Sequence, residues 1–249
     1  MGSEIFLGMI VFLWGLAAGS FLNVCIHRMP REESIVRPGS HCPQCQKPIA
    51  WYDNIPLVSY LLLGGKCRHC RARIPSRYFL VELLTGFLWF WLWRRFGFTA
   101  HFVAAVFLFS VLVAITVIDF ETGLIPDRFT IPGMVFGVVM AVCFPALLEQ
   151  KIWYDGAKDS VIGLLAGGGS LLAIGLIGNF IFRKESMGGG DIKLLALLGA
   201  FLGFKKVILV LLVAPILAIP LALFAKLVQK AETIPFGPFI ALAGAWLFL

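Results

Sequence analysis

Apolar residues in this 249-residue chain gather into long runs separated by short polar connections. Eight runs stand out, at residues 5–26, 79–93, 101–118, 131–148, 160–182, 192–204, 207–225 and 234–249. An α-helix needs about 20 residues to cross a typical hydrocarbon core. The pattern therefore predicts an all-α integral membrane protein of about eight transmembrane helices. The runs at 192–204 and 234–249 are short for a full crossing. They fit tilted or half-buried bundle members, or helices extended by their flanks. The first run is expected to be a retained span rather than a signal peptide. It lacks a basic leading segment, begins after Glu4 and runs straight into His27 and Arg28.

Between the first two runs lies the one sizeable polar piece, residues 27–78, rich in Pro, Gly, Arg and Cys. The chain then divides into a first helix (1–26), a soluble module (27–78) and a helical bundle (79–249). The module is too small to bury a core of its own. A metal staple is the expected remedy at this size.

Composition supports lipid as the main solvent. The chain is 59% hydrophobic, with mean hydropathy +0.91 and 14% charged residues, where soluble domains carry about 25%. The net charge of +7 would suggest nucleic acid in a soluble protein. Here Lys and Arg read as topology, and no basic-aromatic surface stands outside the spans to bind nucleic acid. With the N-terminus outside, the connections facing the cytoplasm hold nine, one, three and two Lys or Arg, against six on the opposite face. That bias predicts an inner-membrane protein with both termini outside and the module in the cytoplasm.

Of six cysteines, Cys25 and Cys143 lie in apolar runs and read as small hydrophobes. Cys42, Cys45, Cys67 and Cys70 form two CxxC pairs separated by 21 residues, a spacing typical of zinc knuckles. Disulfides are the competing reading, but they need an oxidising compartment, and the charge bias places this loop in the cytosol. Four thiolates saturate tetrahedral zinc, so the expected site is structural. His41 and His69 adjoin ligand cysteines and are alternative ligands. Lys66, Arg68, Arg71, Arg73 and Arg77 cluster at the second knuckle, either as the positive-inside signal or as a patch for anionic lipid or substrate. No internal repeat is evident.

Three acids mark the cytoplasmic ends of spans: Asp119 and Asp127 in TVIDFETGLIPD, and Asp191 in MGGGDIKLL. Asp191 and Asp127 each have an ordinary reading as helix caps. Asp119 has none, because it closes an apolar helix at the end where the macrodipole opposes an anion. Asp119 and Asp191 are expected on one face of the membrane, at ends of helices able to pack together. Two close carboxylates share a proton. One then activates water while the other donates to a carbonyl, as in aspartic proteases. Gly188, Gly189 and Gly190 allow close backbone approach and φ > 0. Their spacing matches neither a Walker A loop nor a dinucleotide fingerprint.

The run Gly188-Gly189-Gly190-Asp191, the Asp119 segment and the double CxxC occur together with GSFLNVCIHRMP (19–30), NIPLVSYLLLGGKCRHC (54–70), YFLVELLTG (78–86) and IPFGPF (234–239). In this combination the chain resembles the type IV prepilin peptidases, or leader peptidase/N-methyltransferases, over nearly its whole length. The resemblance implies cleavage of the basic leader from prepilins or type II secretion pseudopilins at the cytoplasmic membrane face. It also implies N-methylation of the new terminus with S-adenosylmethionine. By position it makes Asp119 and Asp191 the protease pair, supported by Gly188, Gly190 and Lys193. It makes Cys42, Cys45, Cys67 and Cys70 the zinc ligands, and links Gly65 and Lys66 to methyl transfer. Glu121 and Asp127 are expected to help attract the basic leader. Two rival classes are a zinc-stabilised transporter with acids lining an ion path, where Glu82 is the deepest candidate, and a membrane scaffold using the cysteine module to hold a partner.

Overall fold

A computed structural model describes residues 2–183, 187–224 and 235–249; the 226–233 connection used above for orientation lies outside them. Apart from two isolated bridges, the regular elements among the described residues are all helices, with no strand. Four helical stretches, Glu4–Arg31, Ala100–Thr122, Trp153–Ile181 and Gly189–Pro220, are long and apolar enough to cross a membrane. The chain forms two compact units, Met1–Ala114 and Ile115–Leu249.

In the first unit, α1 (Gly2–Arg28) packs along α3 (Ser76–Phe96). Gly15 and Gly19, four apart, turn one bare face of α1 to α3. A methyl on Gly15 would lie 2.9 Å from the Gly86 Cα, and one on Gly19 would lie 2.7 Å from the Glu82 Cα. Lipid gives helices no hydrophobic reason to associate, so close backbone contact through small residues supplies the attraction. Asn23 adds an interhelical hydrogen bond, donating from Nδ2 to the Tyr78 carbonyl at 3.0 Å, of a kind worth about 1 kcal/mol. The outer faces carry exposed Phe6, Leu13, Trp14, Leu80 and Phe87, as expected for groups whose solvent is lipid. Between α1 and α3 the chain forms two knuckles and the short helix α2 (Val58–Leu62).

α4 (Ala100–Thr122) begins in the first unit and ends in the second. The second unit continues with α5 (Asp127–Cys143), α6 (Trp153–Phe182), α7 (Gly189–Phe224) and α8 (Gly237–Phe248). Residues 145–148, the end of the fourth apolar run, form a separate 3₁₀ turn after α5. Gly163 of α6 lies directly on Gly199 of α7, and a methyl on Gly167 would meet the Leu195 carbonyl oxygen at 2.5 Å.

α7 is interrupted at Gly203, with φ +72° and ψ −179°. Gly167 is approached by both Leu195 and Val207, and Gly163 by both Gly199 and Gly203. In a straight helix Leu195 and Val207 would stand about 18 Å apart at 1.5 Å per residue. The chain therefore reverses at Gly203, and the runs at 192–204 and 207–225 are neighbouring halves of a hairpin. Asp159 stabilises the reversal by accepting the Phe204 N–H at 3.2 Å. A methyl at Gly203 would lie 2.7 Å from that carboxylate. Leu194, Leu197 and Leu198 of the first half, Val207 of the second and Ile240 of α8 are fully buried.

Candidate active site and metal centre

Asp119 occupies the last turn of α4 and is 6% exposed. Its Oδ2 accepts the backbone N–H of Gly237 at 3.0 Å, from 118 positions further along the chain. Gly237 opens α8, so the free amides and positive dipole end of α8 face the acid that the dipole of α4 opposes. A methyl on Gly237 would lie 2.6 Å from the same Oδ2 and 3.1 Å from Ile125 Cδ1. This glycine is demanded by close approach. IPFGPF carried the signal, but nothing in local sequence tied it to Asp119.

Asp191 is the third residue of α7 and half-buried. It is not the cap expected by the ordinary reading: the helix starts at Gly189, and the Asp191 amide donates to the Gly188 carbonyl at 3.2 Å. None of Gly188, Gly189 and Gly190 has positive φ, contrary to the expectation for this loop. The chain enters the helix there without a left-handed turn. What Gly190 supplies is clearance, because a methyl on it would sit 2.7 Å from Ile125 Cβ. Gly190 and Gly237 thus meet the same Ile125 side chain, which gathers Asp191 and Asp119 into one cluster.

Asp127 begins α5 but makes no capping bond. Its two oxygens instead accept from Lys193 Nζ at 2.6 and 2.8 Å, which ties the start of α5 to the start of α7, two residues beyond Asp191. The charge of Asp127 is therefore already matched by a lysine.

In the first unit the four sulfurs of Cys42, Cys45, Cys67 and Cys70 lie within 4.8 Å of one another. Cys42 and Cys70 are 3.8 Å apart. Tetrahedral zinc with Zn–S bonds near 2.3 Å requires sulfur pairs about 3.8 Å apart, so the donor set fits. Neither His41 nor His69 belongs to the group; the His41 ring approaches the Gly39 carbonyl instead. Amides of Cys70 and His69 point at the Cys67 sulfur and hold its thiol down to about 6. At Cys70 the Ala72 amide pulls down, but crowding by the neighbouring sulfurs prevails and pushes it up to about 11. Such opposition is what four crowded thiols show, and a shared cation resolves it.

The two knuckles are structural repeats offset by 25 positions, a repeat that sequence inspection missed. Cys42 N–H donates to Lys47 and Gln46 N–H to Cys42, as Cys67 N–H donates to Ala72 and Arg71 N–H to Cys67. Gln46 and Arg71 share positive φ, at 58° and 60°. Only the two cysteines and one isoleucine (Ile49 and Ile74) are identical between them, because backbone hydrogen bonds set the rest. Gly65, with φ +65°, starts the second knuckle, and Lys66 is exposed beside it.

A cavity of about 320 Å³ lies between this module and the adjoining ends of α1 and α3, at the lower end of small-ligand pockets, about 300–1,000 Å³. Its walls include Ser20, Arg28, Tyr60, Tyr78 and Glu82. Buried Arg28 anchors the module to α1 by donating to the Ser34 and Gly39 carbonyls at 3.0 Å each. Asp53, also in the wall, accepts two hydrogen bonds of 2.6 and 2.7 Å from Arg68, which hold its carboxyl below the usual range.

These features define a class: a multi-pass helical membrane protein with a carboxylate pair where helix ends meet and a tetracysteine metal-type centre. Comparisons make the class specific. Residues 13–96 match the Bacterial Peptidase A24 N-terminal domain, and residues 106–223 match the Type IV leader peptidase family. The prepilin leader peptidase/N-methyltransferase of Myxococcus xanthus is 44% identical over 82% of this chain and 58% of its own length. That of Pseudomonas aeruginosa is 35% identical over 95% of this chain and 88% of its own. That of Neisseria gonorrhoeae is 32% identical over 94% and 87%. No solved structure matches significantly. The chain belongs to the prepilin leader peptidase/N-methyltransferase family.

Proposed function

We infer that this protein removes the leader peptide from type IV prepilins or type II secretion pseudopilins and then N-methylates the new terminus. The observation that carries the cleavage reading is the convergence around Ile125 of Gly237, which contacts Asp119, and Gly190, which precedes Asp191, at ends of two different helices. One carboxylate takes a proton from water, the other donates one to the scissile carbonyl, and the shared proton passes between them. A prepilin's apolar helix stays in lipid while its leader projects into water. Acids at helix ends meet the bond where it emerges.

The same reading places eight spans in the inner membrane, counting both halves of α7 separately. Both termini lie outside, and the module and the aspartates lie on the cytoplasmic side. The Lys and Arg bias supports this orientation. Cys42, Cys45, Cys67 and Cys70 hold structural zinc, and residues 27–78 serve methyl transfer, with Gly65 and Lys66 shaping the second knuckle. S-adenosylmethionine supplies the methyl group when bound, and the cavity beside the module has the size and mixed polar and aromatic walls to hold it. Gly188, Gly190 and Lys193 set the position of Asp191.

The deciding experiment incubates purified protein with a prepilin in detergent and follows leader release by mass. A transporter or a scaffold would release none. Two smaller predictions accompany it. Asp127→Asn should retain cleavage within about threefold and shift stability by no more than about 1 kcal/mol, because its ion pair with Lys193 is half exposed. Thermal unfolding and the cleavage assay check this together. Metal analysis should find one zinc per chain. Cys42→Ser or strong chelation should open residues 29–75 to protease and abolish methylation, while leader cleavage persists. Structural zinc contributes on the order of 10 kcal/mol to small modules, which have no other core.

A further inference from the structure

Glu82 belongs to neither the acid pair nor the cysteine cluster. It lies in the second turn of α3 and is 8% exposed. Its Oε2 accepts the Leu57 N–H at 2.8 Å, and Ser20 of α1 is its neighbour in the wall of the same cavity. Both groups are neutral. Among the described residues no lysine or arginine forms an ion pair with it. A buried carboxylate without a cation is costly, and such groups mark sites whose partner arrives with a ligand. Glu82 lines the cavity between α1, α3 and the module, so a ligand there can supply the missing charge.

The other walls restrict the ligand further. Arg31, Lys47 and Arg73 of the module side line the same cavity. Cations there and one buried acid on the helix side suit a reaction that brings together a carboxylate-bearing amino-acid ligand and a cationic group. Tyr60 and Tyr78 line it as well and give it aromatic surface. The cleaved substrate presents an ammonium at the tip of an apolar helix. Only the free amine has the lone pair that a methyl transfer needs.

We propose that this cavity is the methyl-transfer site and that Glu82 receives the substrate's N-terminal ammonium and takes its proton. This rests on the methylation reading above. The Glu82 carboxylate accepts one proton from the ammonium, leaving a lone pair on nitrogen. That pair forms the new N–C bond as the methyl group's bond to sulfur breaks, with the bonding electrons staying on sulfur. The sulfonium becomes a neutral thioether and the product a methylammonium. Glu82 then returns its proton to water. The Leu57 hydrogen bond holds the carboxyl group in place through the exchange.

The test uses the full-length protein, a pre-cleaved pilin peptide and S-adenosylmethionine. Glu82→Gln keeps the shape and a carbonyl acceptor for Leu57. It should lower the methylation kcat about 100-fold, leave calorimetric binding of S-adenosylmethionine within about threefold, and leave leader cleavage unchanged. Glu82→Asp should restore part of the lost rate. Val24→Trp, which pushes a ring into the cavity from α1, should abolish S-adenosylmethionine binding and spare cleavage. Normal methylation by Glu82→Gln, or normal donor binding by Val24→Trp, overturns the proposal. So does equal loss of cleavage and methylation in both Glu82 variants, which would make Glu82 a structural residue. If the wild-type protein itself neither binds S-adenosylmethionine nor methylates the peptide, the methylation reading fails first.

Discussion

Asp119→Asn and Asp191→Asn should each lower leader release about 1,000-fold or more, with either change nearly as severe as both together. Positioned acid–base groups contribute about 10²–10⁴-fold each, and groups acting as one unit do not add. The reason here is the shared proton. An amide in place of either carboxyl leaves no group able both to accept from water and to pass the proton on. Asparagine is nearly isosteric, so both variants should fold and insert normally, judged by helical content and thermal unfolding. Release assayed by mass on a purified prepilin checks the expectation. Survival of cleavage in Asp119→Asn together with its loss in Asp127→Asn would mean that the first acid had been wrongly assigned.

Gly237→Ala should lower cleavage about 100-fold although it touches no charge. The added methyl would stand 2.6 Å from Asp119 Oδ2, well inside van der Waals contact, with Ile125 closing the other side. Either α8 shifts and its amide leaves Asp119, or the carboxylate turns away from Asp191. A displacement of about 1 Å in such a site costs on the order of 100-fold in rate. Substrate binding should change much less, so the loss should appear in kcat more than in KM. A variant with unchanged kcat would show that the Gly237 contact does not hold the acid in its working position.

The positions of the apolar runs were legible because each helix must satisfy its backbone internally and present carbon to lipid. α1, α3 and α4 extend their runs by only a few residues at the ends, whereas α6 begins at Trp153, two turns before its run. The cysteine cluster was equally legible, since metal ligands need specific atoms at short spacing. The small-residue contacts were not read: Gly15 with Gly86, Gly19 with Glu82 and Gly163 with Gly199 depend on which helix lies opposite. Nor did the three glycines before Asp191 reveal their actual duty. They looked like turn residues, whereas Gly190 is needed because Ile125 comes from another segment to fill the space beside it.

Local order along the chain determined the helical class, the lipid-facing composition, the tetracysteine group and the identity of the suspicious acids. Each follows from the chemistry of short segments, whose hydrophobicity, spacing and charge act at a range of a few residues. Tertiary structure alone decided which groups meet. The reversal at Gly203, the amide of Gly237 on Asp119, the Lys193 pair with Asp127 and the burial of Glu82 against Leu57 join positions 25 to 118 residues apart or turn on helix–helix contact. Such encounters depend on how whole helices pack, and packing is a property of surfaces that no single stretch of sequence contains.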